Sequence, residues 1–275
     1  MLNDVFVFDI EESTWNNLEF SNEDLNLNHP KPRSSHAVAL DSDFKDRFYM
    51  FGGTGINLGQ SNFSDLWVFD FRSQKFREIS QSKINKPHGM YGHTLNYYKN
   101  SLYLFGGTNG FEYYNDLLRF DLLYFQWQKV VTVKGSIDPE PRYKHSAVMI
   151  SDENKLIILG GTNQNKRFGN IYEFSFDKKA WSLVNINKNK QIFKGRYGHS
   201  TDLVSSDLKT QQNHIIIFGG LEDRQKNDLI RFDLNSGNFN LVQLNDIENI
   251  PSERDFHSSV LFENQLYIIG CGKTK

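Results

Sequence analysis

The stretch Leu102-Tyr103-Leu104-Phe105-Gly106-Gly107 is a short apolar run closed by two glycines, and it recurs along the 275-residue chain. The first glycines of successive copies are 54, 54, 59 and 51 residues apart. The doublets are Gly52-Gly53, Gly106-Gly107, Gly160-Gly161 and Gly219-Gly220, with a degraded copy at Ile269-Gly270-Cys271-Gly272. A regular period of this size indicates an array of one supersecondary unit.

Three further marks keep a fixed order around each doublet. A histidine followed by a small residue stands upstream, an alternating run ending in aspartate stands downstream, and one large aromatic residue follows. The histidines are His36, His93, His145, His199 and His257. The runs are Leu66 to Asp70, Leu117 to Asp121, Ile171 to Asp177 and Leu229 to Asp233, and the aromatics are Phe76, Trp127, Trp181 and Phe239.

Each mark has a physical interpretation. About four apolar residues bounded by glycine predict a strand buried on both faces. Glycine ends that strand because it adopts positive φ without a Cβ clash, and an aspartate at the end of the next strand favours a tight turn. Each period therefore predicts four short antiparallel strands. One such sheet cannot bury both of its faces alone, but sheets arranged radially cover one another, which predicts an all-β fold, a β-propeller of four-stranded antiparallel blades.

At this point the chain resembles the kelch-repeat proteins, whose fold is that of the galactose oxidase/kelch-like propeller superfamily. The resemblance extends from Leu2 to Gly272. It is carried by the doublets, the spaced tryptophans and four motifs: Pro32-Arg33-Ser34-Ser35-His36, Pro141-Arg142-Tyr143-Lys144-His145, Gly195-Arg196-Tyr197-Gly198-His199 and Asn115-Asp116-Leu117-Leu118-Arg119-Phe120-Asp121. The resemblance implies a non-catalytic scaffold or adaptor that binds another protein, such as a ubiquitin-ligase, cytoskeletal or small-GTPase partner.

The two ends of the chain are half-repeats, and they predict the number of blades. We expect a single domain over 1–275, with a half-blade at 1–20 and another at 251–272. Complete blades are predicted at about 32–80, 88–131, 141–185 and 195–243. Pairing of the two halves would give five blades and would remove two exposed sheet edges. The alternatives are a fragment of a six- or seven-bladed ring, or closure across two chains.

Composition limits the classes of partner. The formal net charge is −2, from 31 basic and 33 acidic residues, so we expect no nucleic-acid or membrane partner. The single cysteine, Cys271, excludes an intramolecular disulfide and favours a reducing compartment. With no signal-like N-terminus and no long apolar run, we expect a cytoplasmic protein.

Arginine precedes the histidine by three residues in all but one copy, at Arg33, Arg142, Arg196 and Arg254, whereas the second copy has Met90. One hypothesis is a ring of guanidinium groups that grips carboxylates of a partner. The other is a structural role, in which each arginine bonds to carbonyls or carboxylates between blades. The repeated histidines stand on separate blades, so we expect packing residues, with no metal and no cofactor.

Loops on a fixed scaffold are where binding is expected. One set follows each doublet, and the other connects each outer strand to the next histidine strand; both should open on one face. Phe111, Tyr113 and Tyr114 form an aromatic cluster that could anchor a protein partner. Arg167, Phe168 and Arg224 occupy the matching loops of the next two copies. The competing interpretation is that these residues pack within their own loops.

An enzyme is the alternative from a different class. Its site would lie at the axial mouth, in a sugar-acid isomerase-like pocket lined by Arg33, Arg142 and Arg196, or in an oxidase-like site. The kelch-like oxidases use a cysteine cross-linked to tyrosine, whereas Cys271 replaces a glycine of the repeat. No catalytic triad or paired-carboxylate pattern stands out in the sequence, so we expect no catalytic residues.

Overall fold

The computed structural model describes residues 3–22, 25, 28–57, 59–187, 192–205, 213–244 and 250–271. The predicted residues 1–2 and 272 of the terminal half-blades therefore lie outside the described part. The chain divides into two compact units, Met1–Val130 and Val131–Lys275. The described part contains no helix of the length and hydropathy that crossing a membrane requires.

The first unit contains one two-stranded sheet and two four-stranded sheets among its described residues. The two-stranded sheet pairs β1 (Val5–Asp9) with β2 (Thr14–Leu18). The next sheet comprises β3 (Ala37–Leu40), β4 (Arg47–Phe51), β5 (Leu66–Asp70) and β6 (Lys75–Glu78). The third comprises β7 (Thr94–Tyr97), β8 (Ser101–Phe105), β9 (Leu117–Asp121) and β10 (Gln126–Lys129).

The second unit repeats this plan. One sheet comprises β11 (Ser146–Ile150), β12 (Lys155–Leu159), β13 (Ile171–Ser175) and β14 (Ala180–Leu183). The next comprises β15 (Ser200–Val204), β16 (His214–Phe218), β17 (Leu229–Asp233) and β18 (Asn238–Leu241). A two-stranded sheet pairs β19 (Ser258–Phe262) with β20 (Gln265–Ile269). A 3₁₀ turn, Ser151–Glu153, precedes β12.

In every sheet the strands pair with their neighbours in the chain, and every pairing is antiparallel. The strand before the doublet lies second in its sheet, and β8 is buried along its whole length. The aromatics Phe76, Trp127, Trp181 and Phe239 all lie on the fourth strand and are buried. The all-β prediction of four-stranded antiparallel blades is thus confirmed for the four complete repeats, whereas the fifth blade and the single domain stay predictions.

The predicted aspartate turn is confirmed in the first, second and fourth complete repeats. The third repeat differs. In the first repeat, Asp70 Oδ1 accepts hydrogen bonds from the backbone N–H groups of Arg72 and Ser73 at 3.1 and 2.8 Å. In the third repeat the strand ends at Ser175, whose Oγ accepts from the Lys178 N–H at 3.2 Å. The predicted run from Ile171 to Asp177 was therefore two residues too long, because a serine hydroxyl replaces the carboxylate in the turn.

Candidate binding surface

The two predicted loop sets meet at one end of each complete sheet. In repeat 2, strand β8 runs towards the doublet and β9 runs away from it, so the β9–β10 turn lies at the opposite end. The loop before β7 returns to the doublet end, where Tyr91 and Thr108 exchange backbone hydrogen bonds of 3.0 Å. Equivalent bridges join Ser34 to Thr54, Tyr143 to Thr162 and Tyr197 to Leu221. We call this end of each sheet the doublet face.

The doublet makes a close approach between neighbouring repeats possible. Gly52 and Gly53 have φ of +68° and +93°, which L side chains rarely adopt. A Cβ on Gly52 would lie 2.8 Å from both the Met90 carbonyl oxygen and Cε1 of His93. The next repeat therefore packs directly on the first glycine, and a larger residue there would push it away.

The repeated arginines bind the doublet from inside their own repeat. Each donates from Nη1 to the carbonyl of the first glycine: Arg33 to Gly52 at 2.9 Å, Arg142 to Gly160 at 2.9 Å, Arg196 to Gly219 at 3.0 Å and Arg254 to Gly270 at 2.9 Å. At Arg33 and Arg196, the aspartate just before the third strand of the sheet completes the site. Arg33 binds Asp65 with bonds of 2.6 and 2.7 Å, and its guanidinium lies 4.2 Å from the ring centroid of Phe63.

Three of the four repeated arginines are shielded from solvent. Arg142 and Arg196 are fully buried and Arg33 nearly so, whereas Arg254 is partly exposed. Phe168, predicted as a contact residue, is also buried. The Arg142 guanidinium carbon lies 4.1 Å from the centroid of its ring and covers it. The arginine bonds stay within one repeat, and not between blades as the structural hypothesis expected. We therefore leave Arg33, Arg142, Arg196 and Phe168 out of the surface that a partner would touch.

Arg142 differs from its counterparts because the acid is replaced by Asn170. Its Nη1 lies 3.3 Å from Asn170 Oδ1, and its Nη2 has no hydrogen-bond partner among the described residues. Burial without a carboxylate lowers the pKa of Arg142 to about 10. Arg196 has the opposite environment: Asp228 and Glu222 both bind it and raise its pKa despite burial.

The repeated histidines link neighbouring repeats. His93 donates from Nε2 to the Phe51 carbonyl at 3.2 Å, and His199 Nε2 lies 2.8 Å from Ser146 Oγ. Desolvation lowers the pKa of both imidazoles to about 3, so both are neutral at pH 7. Among the described residues, no three His, Cys, Asp or Glu side chains lie close enough together to hold a metal ion.

The three residues of the aromatic cluster in repeat 2 differ in their exposure to solvent. Phe111 is 82% exposed, whereas Tyr113 and Tyr114 are half-buried and Tyr114 packs against the core of the first unit. Asn109 Oδ1 accepts hydrogen bonds from the backbone of Phe111 and Glu112 at 2.9 and 2.7 Å. The loop is therefore held in a turn that presents the Phe111 ring to solvent.

A second apolar side chain stands in the adjoining loop of repeat 1. Ile56 is 84% exposed. The two loops are connected, because Asn62 Nδ2 donates to the Asn109 carbonyl at 2.7 Å and Gly59 packs against Gly110. Sequence analysis missed Ile56; the available signal was a lone branched apolar residue in a glycine-rich, otherwise polar loop. We call Ile56, Phe111 and their two loops the apolar loop pair.

In the second unit, the matching loops carry charges. Arg167 Nη1 lies 3.3 Å from Asp223 Oδ1, with Asp223 almost fully exposed, and Arg224 is exposed beside it. A polar cleft of about 450 Å³ lies between these loops. A second cleft of about 720 Å³, whose lining includes Phe168 and Phe193, runs from Arg167 to the outer strand at Leu183. The structure thus places Arg167 and Arg224 on one accessible rim.

Comparison with known proteins agrees with this architecture. A family model for the KLHDC2/KLHL20/DRC7 Kelch-repeats domain matches residues 1–209. Human kelch domain-containing protein 10 is 32% identical over 166 residues, which are 59% of this chain and 36% of that protein. The leucine-zipper-like transcriptional regulator 1 homolog of Drosophila melanogaster is 20% identical over 239 residues, 85% of this chain and 23% of that protein. Kelch repeat-containing protein 2 of Saccharomyces cerevisiae is 31% identical over 163 residues, 55% of this chain and 18% of that protein.

Repeated four-stranded antiparallel sheets with buried arginines and doublets define a kelch-type propeller protein. Because the family model covers most of its length, the chain belongs to the kelch-repeat family of β-propeller proteins. The predicted family resemblance is thus confirmed. The matched region spans about a third of the length of kelch domain-containing protein 10.

Proposed function

We propose that this chain is a non-catalytic scaffold or adaptor that binds another protein through the doublet face. The observation that carries the proposal is the apolar loop pair, where Ile56 and Phe111 are almost fully exposed on connected loops. Burying large apolar side chains against a partner is favourable, and such residues serve as anchors of protein interfaces. Membership of the kelch-repeat family supports the same function.

The charged rim formed by Arg167 and Arg224 supports a polar contact in the second unit. Exposed charges at an interface contribute more to specificity and association rate than to affinity. We include the partly exposed Arg254 and the accessible part of the Tyr113 side chain in the proposed contact surface. With Cys271 as its single cysteine, we also propose a reducing cytoplasmic compartment for this activity.

Affinity capture from the native cell, followed by mass spectrometry, tests the proposal. The bait variants are Phe111→Ala and Ile56→Ala, each compared with Leu123→Ala. Leu123 is a suitable control because it is also exposed and apolar, but it lies in the β9–β10 turn at the opposite end of the same sheet.

We expect the two loop variants to lose at least about tenfold in the amount of captured partner, the loss expected for an anchor residue. Leu123→Ala should retain capture, and all three variants should melt within about 2 °C of the wild type, because exposed substitutions change stability little. Equal capture by all variants would contradict the assignment of the doublet face.

A further inference from the structure

Repeats 1 and 4 bind their own arginine in a site built from several parts. In repeat 1 the guanidinium of Arg33 meets the Gly52 carbonyl at 2.9 Å, the Asp65 carboxylate at 2.6 and 2.7 Å, and the ring of Phe63 at 4.2 Å. The acid stands directly before the third strand of the sheet, and the ring stands two residues before the acid. Arg196 binds the Gly219 carbonyl and Asp228 in the same way.

Repeat 2 retains the three groups that surround the guanidinium and lacks the arginine. Gly106 supplies the doublet carbonyl, Asp116 precedes β9, and Tyr114 stands two residues before that acid. Met90 occupies the arginine position. A methionine side chain has no N–H donor, so it satisfies neither the carbonyl nor the carboxylate.

A cavity marks the place of the missing arginine. It has a volume of about 150 Å³ and is lined by Met90, Gly106, Tyr114 and Asp116, together with Pro87, His88, Leu104 and Leu118. That volume corresponds to roughly five water molecules, which is enough for a guanidinium and part of its stem. The Asp116 side chain is 46% exposed, so a group can reach it from solvent.

We propose that this cavity binds an arginine side chain of a protein partner, whose guanidinium takes the place that Arg33 occupies in repeat 1. The proposal rests on the protein-binding function proposed above and adds the chemistry of one partner residue. The walls favour arginine over lysine, because a planar guanidinium can bind a carboxylate with two parallel bonds while stacking on a ring.

The position of the cavity and the weakness of the ion pair that competes for Asp116 are both consistent with an arginine side chain as the occupant. Tyr114 belongs to the loop that presents Phe111, so the cavity adjoins the apolar loop pair. Lys129 Nζ now lies 2.6 Å from Asp116 Oδ1, but that lysine is 64% exposed. An exposed ion pair of this kind contributes little stability, so a better-fitting guanidinium can displace the ammonium group.

The experiment uses N-acetyl-arginine methylamide as the probe, with the capped citrulline analogue as its uncharged match. Binding to the whole chain is followed by saturation-transfer NMR at millimolar concentrations. We expect the arginine probe to bind at least tenfold more tightly than the citrulline probe. Asp116→Asn should reduce binding at least tenfold, whereas Lys129→Ala should increase it by removing the competing cation.

Met90→Arg is the decisive variant, because it supplies the missing side chain from the chain itself. We expect it to abolish probe binding and to raise the melting temperature by about 2 to 4 °C. If Met90→Arg does not fold, Asp116→Asn, which changes one partly exposed residue, decides the matter alone. Equal binding of both probes, or arginine binding unchanged in Asp116→Asn, would overturn the proposal.

The capture experiment with Phe111→Ala is independent of this test. If partner capture depends on Phe111 while the arginine probe fails to bind, the arginine site is wrong and the protein-binding function stands. If the probe binds as expected but no variant affects capture, the binding function of the apolar loop pair is wrong and the arginine site stands.

Discussion

Replacement of Trp127 by alanine tests whether the buried aromatic residue of the fourth strand holds neighbouring repeats together. The indole is buried, with its ring centroid 5.2 Å from that of Phe51 in the preceding repeat and 5.0 Å from that of Phe120 in its own. Nε1 donates to Gln81 Oε1 at 2.7 Å. Truncation of a buried tryptophan costs about 3 to 5 kcal/mol through lost transfer energy and the cavity left behind, and the lost hydrogen bond adds about 1 kcal/mol.

The assay is urea unfolding of the whole chain followed by far-ultraviolet circular dichroism. Since natural domains are stable by only about 5 to 15 kcal/mol, we expect Trp127→Ala to shift the midpoint strongly or to unfold the first unit outright. Trp127→Phe retains a ring at the same position and should lose less than about half as much. A loss below about 1 kcal/mol in the alanine variant would refute the packing role assigned to this residue.

Three further outcomes follow from the same architecture. Gly52→Ala should destabilise the first unit by more than about 1 kcal/mol in the same urea assay, because a Cβ there meets the Met90 carbonyl and the residue needs positive φ; a neutral result would show that the repeats can move apart. Arg196→Met should cost about 3 kcal/mol, because it removes the buried guanidinium that pairs with both Asp228 and Glu222 and leaves Glu222 with Lys226 alone; retention of the wild-type midpoint would contradict that pairing. The folded-state pKa of His93 is about 3, well below the ordinary value of 6.5, so the unfolded chain binds more protons below pH 6.5. Stability should therefore be fully present above that pH and fall by about 1.4 kcal/mol per pH unit for this one group between pH 6 and pH 4; urea midpoints at pH 7, 6 and 5 that give the same slope in wild type and His93→Gln would rule this out.

The frame of the protein could be predicted from sequence because each of its marks is local and periodic. The apolar run before Gly106 needs only its own neighbours to specify a buried strand, and the position of Trp127 follows from the aspartate that ends β9. Where one mark was replaced, prediction failed locally. Ser175 ends β13 in place of an aspartate, and no pattern signalled that a hydroxyl would accept the turn hydrogen bond.

The candidate binding surface was harder to predict because it depends on contacts between distant residues. Arg33 could be seen as periodic, but its burial depends on Asp65, 32 residues later in the chain. The absence of arginine at Met90 was visible from the alignment of repeats, whereas the cavity it leaves became visible only once Asp116 and Tyr114 were placed around it. Ile56 gave little signal in the sequence, since its exposure depends on how the loops of repeats 1 and 2 contact each other.

The central claim is that buried aromatic residues and arginines stabilise the sheets, and we propose that the doublet face binds the partner. Hydrogen–deuterium exchange of the chain with and without its captured partner tests this directly. The account predicts that exchange slows in the loops at 54–57, 59–63 and 108–116 while the β9–β10 turn at 122–125 is unchanged. Protection confined to that turn, with unchanged exchange in the loops, would contradict it.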